Sequence, residues 1–133
     1  MRKLVALLFV ALAAFTLAGC GGGASDHATI EIHYSSFEQK EVEVPAGVPV
    51  TITLKNEDPI EHEWIVGTAD VHERHRTGTE PFHGTIPTEV TVPAFETRVT
   101  TITFEHPGDL LYICHLPGHE QYGMVGTLHV VEG

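Results

Sequence analysis

From residue 28 onward, apolar and polar side chains alternate with a period of two, and no long 3.6-residue apolar face appears, so the pattern predicts an all-β domain. In ATIEIHY (28–34), Ile30, Ile32 and Tyr34 alternate with polar neighbours; KEVEV (40–44) repeats the pattern; VPVTITLKN (48–56) sets Val50, Ile52 and Leu54 on one face. HEWIV opens a fourth strand, and TEVTV (88–92), RVTTITFE (98–105), DLLYIC (109–114) and VGTLHVV (125–131) supply four more. Turn residues punctuate them at PAGVP (45–49), NEDP (56–59) and HPGD (106–109). About eight short strands spaced in this way favour a two-sheet Greek-key β-sandwich over a closed barrel. An immunoglobulin-type sandwich is the competing arrangement, but its paired cysteines are missing and Trp64 is badly placed for it. Residues 67–87, GTADVHERHRTGTEPFHGTIP, read as the one long irregular connection, and such segments usually carry function or move.

Ahead of the alternation, MRKLVALLFVALAAFTLAG (1–19) places two cations before a continuous apolar run ending in small residues, the layout of a secretory signal. A buried helix of the mature domain and a short membrane-spanning helix are the other readings. The run closes on LAGC, which resembles the lipobox of bacterial lipoproteins. That resemblance implies a lipid on Cys20, with GGGASDH as a flexible tether (20–27) between anchor and domain (28–133). The expected location is extracytoplasmic and membrane-anchored, facing a periplasm or the cell exterior. Gly21 after the Cys suits onward export where there is an outer membrane.

Without Arg2 and Lys3 of the leader, 5 basic residues face 18 acidic ones, a formal charge of −13. Nucleic acid is therefore an unsuitable partner, whereas a cationic protein or a metal ion complements the surface. A merely soluble exported domain shows the same balance.

The cysteines are two, Cys20 and Cys114. With Cys20 lipidated, Cys114 has no disulfide partner; a Cys20–Cys114 bridge and an inert buried thiol are the alternatives. Cys114 opens the stretch CHLPGHEQYGM, where His119 and Met124 follow at equal spacings between one strand's end and the next strand's start. Pro117-Gly118 turns the chain between Cys and His, and Gly123 frees it before Met124, so the three side chains can converge at one tip of a sandwich. A fourth group must come from elsewhere. His62, at the head of the fourth strand, is best placed, ahead of His33, His106 and His129. A thiolate, two imidazoles and a weak thioether suit copper in a trigonal blue-copper geometry. The bland reading makes Cys114 and Met124 core and His119 a surface turn residue.

On CHLPGHEQYGM and the upstream His62, residues 28–131 resemble the cupredoxins, the blue-copper family of plastocyanin, azurin, auracyanin and rusticyanin, with loop spacing most similar to the last two. The resemblance implies one type 1 copper held by His62, Cys114, His119 and Met124. Where many members carry an Asn after the upstream His, tying the two ligand loops together, this chain has Glu63. His115 follows the Cys as in laccase type 1 sites, but Ile113 precludes a His-Cys-His bridge to a trinuclear cluster, and Gly118 stands where a dinuclear purple centre needs a second Cys.

The function implied is one-electron transfer without bond chemistry, hence no enzyme. Leu116, Pro117 and Met124 are expected to surround the exposed edge of His119. The expected partner is a redox protein such as a c-type cytochrome or terminal oxidase with a basic docking face. Copper sequestration, delivery or resistance is the alternative. It would use His72, His75 and His83 of the 67–87 stretch as a second, looser metal site if the loop gathers them; most such histidines are simply solvated.

Overall fold

The computed structural model describes residues 23–133. The leader 1–19 and Cys20, with the expectations attached to them, lie outside the described residues. In chain order the elements are β1 (His27–His33), β2 (Ser36–Phe37), β3 (Glu41–Pro45), β4 (Pro49–Asn56), β5 (His62–Gly67), α1 (Ala69–Thr77), β6 (Glu89–Val92), β7 (Thr97–Thr103), β8 (Gly108–Ile113) and β9 (Val125–Val131). Two sheets form, ordered β2-β1-β4-β7 and β3-β9-β8-β5-β6. The chain crosses from one to the other repeatedly, so β1 runs parallel to β4 and β3 parallel to β9, while the remaining pairs are antiparallel.

The alternation read from the sequence becomes the inner faces of this sandwich. Ile30 and Ile32, Val50, Ile52 and Leu54, Trp64 and Val66, and Leu128 and Val130 are buried in one core with Phe37, Val92, Ile102, Phe104 and Tyr112. Each such Val, Leu or Ile contributes roughly 1.5–3 kcal/mol relative to an exposed side chain, so a one-residue slip of register would be strongly penalised. Tyr112 reaches across β9 to donate its hydroxyl to the Gln39 carbonyl. Its ring lies where a side chain at residue 126 would stand; a Cβ on Gly126 would sit 2.2 Å from Tyr112 Cζ.

Two elements depart from expectation. β2 makes a ninth strand, paired with β1 through a tight turn at Tyr34 and Ser35, both in left-handed conformation (φ 52° and 53°). The 67–87 stretch is not wholly irregular: α1 occupies its first half and ends in a left-handed Gly78, which lets the Gly78 and Thr79 amides reach the last turn's carbonyls. No helix among the described residues is long and apolar enough to cross a membrane.

Candidate metal centre

The register between β5 and β8 decides where the site forms. Ile65 pairs with Ile113 in antiparallel order, so the beginning of β5 lies beside the chain leaving β8. His62 and Cys114 therefore meet at one end of the larger sheet, and the Glu63 amide donates to Cys114 Sγ at 3.4 Å. The segment from 114 to 124 then folds back on itself. The Cys114 amide donates to the Met124 carbonyl (3.2 Å), the Met124 amide to the His119 carbonyl (3.0 Å) and the His119 amide to the Leu116 carbonyl (3.0 Å). Gly118 and Gly123 take positive φ (86° and 93°), the conformations this fold-back requires.

The donor atoms converge as a result. His119 Nδ1 stands 3.3 Å from His62 Nδ1 and 3.3 Å from Cys114 Sγ. Two donors each about 2 Å from a common ion are separated by about this much, so the trio fits a metal better than it fits ordinary packing. Met124, fully buried like His62 and Cys114, adds the soft thioether from the loop's end. Among the described residues, Cys114 is a free thiol. Burial pushes its pKa up, and the Glu63 and Leu116 amides oppose that by stabilising a thiolate. His119 is half-buried, with half-buried Leu116 and exposed Pro117 in the same loop. Contrary to expectation, Met124 adds nothing to that surface, because its side chain is wholly inside.

Asp58 was legible only as a turn residue, yet it organises the site. Its Oδ2 accepts from His62 Nε2 at 2.9 Å, which leaves Nδ1 as the metal-facing nitrogen. The same carboxylate accepts the Tyr34 and Ser35 amides, each at 2.7 Å, and so holds the left-handed turn. Burial pushes the Asp58 pKa up, but the Ser35 and Tyr34 amides and His62 outweigh it and hold the group below the usual carboxylate range. Asn56, also buried, donates Nδ2 to the Ile60, Val92 and Pro93 carbonyls and accepts the Asp58 amide, fixing the segment that carries both residues.

The second histidine group does not assemble as expected. His72 is fully buried, with Nε2 bonded to the Leu111 carbonyl (3.1 Å) and Nδ1 to His115 Nε2 (2.9 Å). Both nitrogens are used, so His72 is a structural link rather than a ligand. Arg76 of α1 clamps Glu120 of the ligand loop through contacts of 2.9, 3.1 and 2.6 Å, reinforcing the same connection. His75 and His83 instead meet carboxylates: His75 Nε2 lies 3.2 Å from Glu89 Oε1, and His83 Nε2 3.1 Å from Glu89 Oε2. Glu63 is half-buried; burial raises its pKa, while His75 and the His115 amide oppose the rise. It is the Glu63 backbone amide, bonded to Cys114 Sγ, that joins the two ligand segments.

Residues 4–130 match the family model of the cupredoxin-like domain. The copper-resistant cuproprotein CopI of Pseudomonas aeruginosa is 30% identical over 126 residues, covering 71% of this chain and 70% of that protein. Auracyanin-A of Chloroflexus aurantiacus is 30% identical over 148 aligned positions, covering 90% of this chain and 91% of its own. Among solved structures, the auracyanin of Roseiflexus castenholzii superposes with a TM-score of 0.70 at 24% identity, covering 82% of this chain and 99% of that one. Auracyanin A of Chloroflexus aurantiacus, described as a "blue" copper protein, gives 0.61 at 26% identity over 79% of this chain and 98% of its own.

Proposed function

The chain belongs to the cupredoxin-like family, and on that premise we propose that it carries single electrons between redox partners outside the cytoplasm, held to a membrane through a lipid on Cys20. The observation that carries this reading is the convergence of one ligand atom each from His62, Cys114 and His119, all within 4.8 Å of one another. With Met124 these residues are arranged as a type 1 copper site, and one bound copper supplies a one-electron couple there.

The chain's own contribution is to hold the donors still. His62 is pinned by Asp58, and Cys114, His119 and Met124 are cross-bonded through the loop backbone, so the side chains have little freedom to follow a change of oxidation state. A site that does not rearrange keeps the reorganisation accompanying transfer small. His119, half-exposed beside Pro117, offers the short way in and out. The excess of acidic residues favours a partner with a basic face, such as a c-type cytochrome or a terminal oxidase.

Copper handling is the second reading, favoured by the similarity to a protein named for copper resistance. Stopped-flow mixing of the reduced, copper-loaded protein with an oxidised c-type cytochrome separates the two. A carrier should exchange at roughly 10⁵ M⁻¹ s⁻¹ or faster, slowing as salt screens the acidic surface. Slow exchange, together with copper sensitivity of cells lacking the protein, would favour copper handling.

A further inference from the structure

Beside the Cys114 centre, the end of α1, the connection after it and the start of β6 bring four donors together. His75, Glu80 and Glu89 each place a ligand atom within 4.8 Å of the others. His83 joins them, its Nε2 3.1 Å from Glu89 Oε2 and 3.8 Å from Glu80 Oε1. Their side chains are 16%, 20%, 14% and 33% exposed for His75, Glu80, Glu89 and His83 in turn, and His75, His83 and Glu89 line a cleft of about 690 Å³. The cleft gives a small ion a way in.

We propose that His75, Glu80, His83 and Glu89 form a second metal site, taking a borderline divalent transition-metal ion such as Zn(II) or Cu(II). Two imidazoles and two carboxylates are the donor set such ions accept, and no thiol or thioether selects for Cu(I). Donors about 2 Å from a shared ion stand 3–4 Å apart, as do the pairs His75–Glu89 (3.2 Å), His83–Glu89 (3.1 Å) and His83–Glu80 (3.8 Å). A network of ion pairs alone accounts for them less well. The 3.8 Å between Glu80 and His83 is too long for a hydrogen bond, so direct pairing leaves that approach unexplained. Arg74 Nε meanwhile takes Glu80 Oε2, which aims the other oxygen at His83. The site also touches the first one: the His75 ring stacks on His115 (centroids 5.2 Å apart, planes 11° apart), and His115 adjoins Cys114. The inference holds whether the Cys114 centre serves a carrier or a copper store.

The test is isothermal titration of Zn(II) into the full copper-loaded protein, with the blue absorption followed in parallel as a check that the first site and the fold persist. One zinc per chain should bind with a Kd of roughly micromolar or tighter. Glu89→Gln and His83→Ala should each weaken it by more than the roughly 10- to 100-fold that loss of a merely supporting partner costs, with the blue band intact. Should Glu89→Gln lose the blue band, His83→Ala, on the exposed connection, decides alone. The proposal is overturned if no zinc binds beyond the copper site, or if the zinc equivalent survives the decisive substitutions unchanged.

Discussion

Asp58 Oδ2 lies 2.9 Å from His62 Nε2, while the opposite ring nitrogen of His62 lies 3.3 Å from His119 Nδ1. A buried carboxylate thus fixes the tautomer and direction of a buried ligand imidazole and makes it a better electron donor, which favours the oxidised metal. Asp58→Asn cannot accept from Nε2–H at the same atom without turning its amide. The expected result is a rise in reduction potential and a loss of Cu(II) affinity of roughly 10- to 100-fold. Redox titration and competition with a chelator measure the two; an unchanged potential would show that Asp58 serves only the Tyr34-Ser35 turn.

Met124→Leu tests the thioether. The side chain is wholly buried and Leu is close to it in volume, so the fold should lose less than about 1.5 kcal/mol. The thiolate and both imidazoles remain, so the blue colour should persist while the potential rises, because an alkyl group donates nothing to the oxidised ion. Cys114→Ser makes the opposite separation, removing the intense absorption and leaving the circular dichroism of the sandwich unchanged. Colour in the Ser variant would remove Cys114 from the ligand set.

Gly126 is required by packing. A methyl group there would meet the Tyr112 ring at 2.2 Å, and that ring is wedged against Phe37 in an edge-on contact at 5.2 Å. Gly126→Ala is expected to cost about 1–3 kcal/mol of stability through displacement of the ring. Urea unfolding measures it, and Tyr112→Phe should not rescue it, because the clash involves ring carbons as well as the hydroxyl.

What the sequence showed depended on whether the determining contacts were local. β4 and β9 were legible because each has one face in the core, and Cys114, His119 and Met124 because a single loop carries them at a readable spacing. α1 was not legible. Its one fully buried side chain is His72, so there is no apolar stripe to betray a helix among charged residues. β2 was missed because the turn before it is held by Asp58, more than twenty residues away in sequence. Glu89, the partner of both His75 and His83, lies on a strand beyond their loop, so reading the loop by itself grouped them with His72, which is bonded elsewhere, and not with Glu89.

The His72–His115 pair gives the last prediction, a pH dependence. Burial first, and then the neighbouring His72, lower the His115 pKa from about 6.5 to about 4, and burial lowers His72 as well. The folded protein therefore holds His115 neutral where the unfolded chain would protonate it. Between pH 6.5 and 4 the unfolded state binds more protons, so stability is full above pH 6.5 and falls as the pH drops through this window. The side chain is 7% exposed, so screening by water is small, and the loss attributable to His115 is about 1 kcal/mol from pH 6.5 to 5.5. Urea midpoints of the copper-loaded protein at pH 7.0 and 5.5 should show a larger drop for the native chain than for His115→Gln. Contributions from groups common to both proteins cancel in that comparison. Equal drops would mean that His115 is protonated in the folded state at pH 5.5, with its bond to His72 rearranged to accommodate the charge.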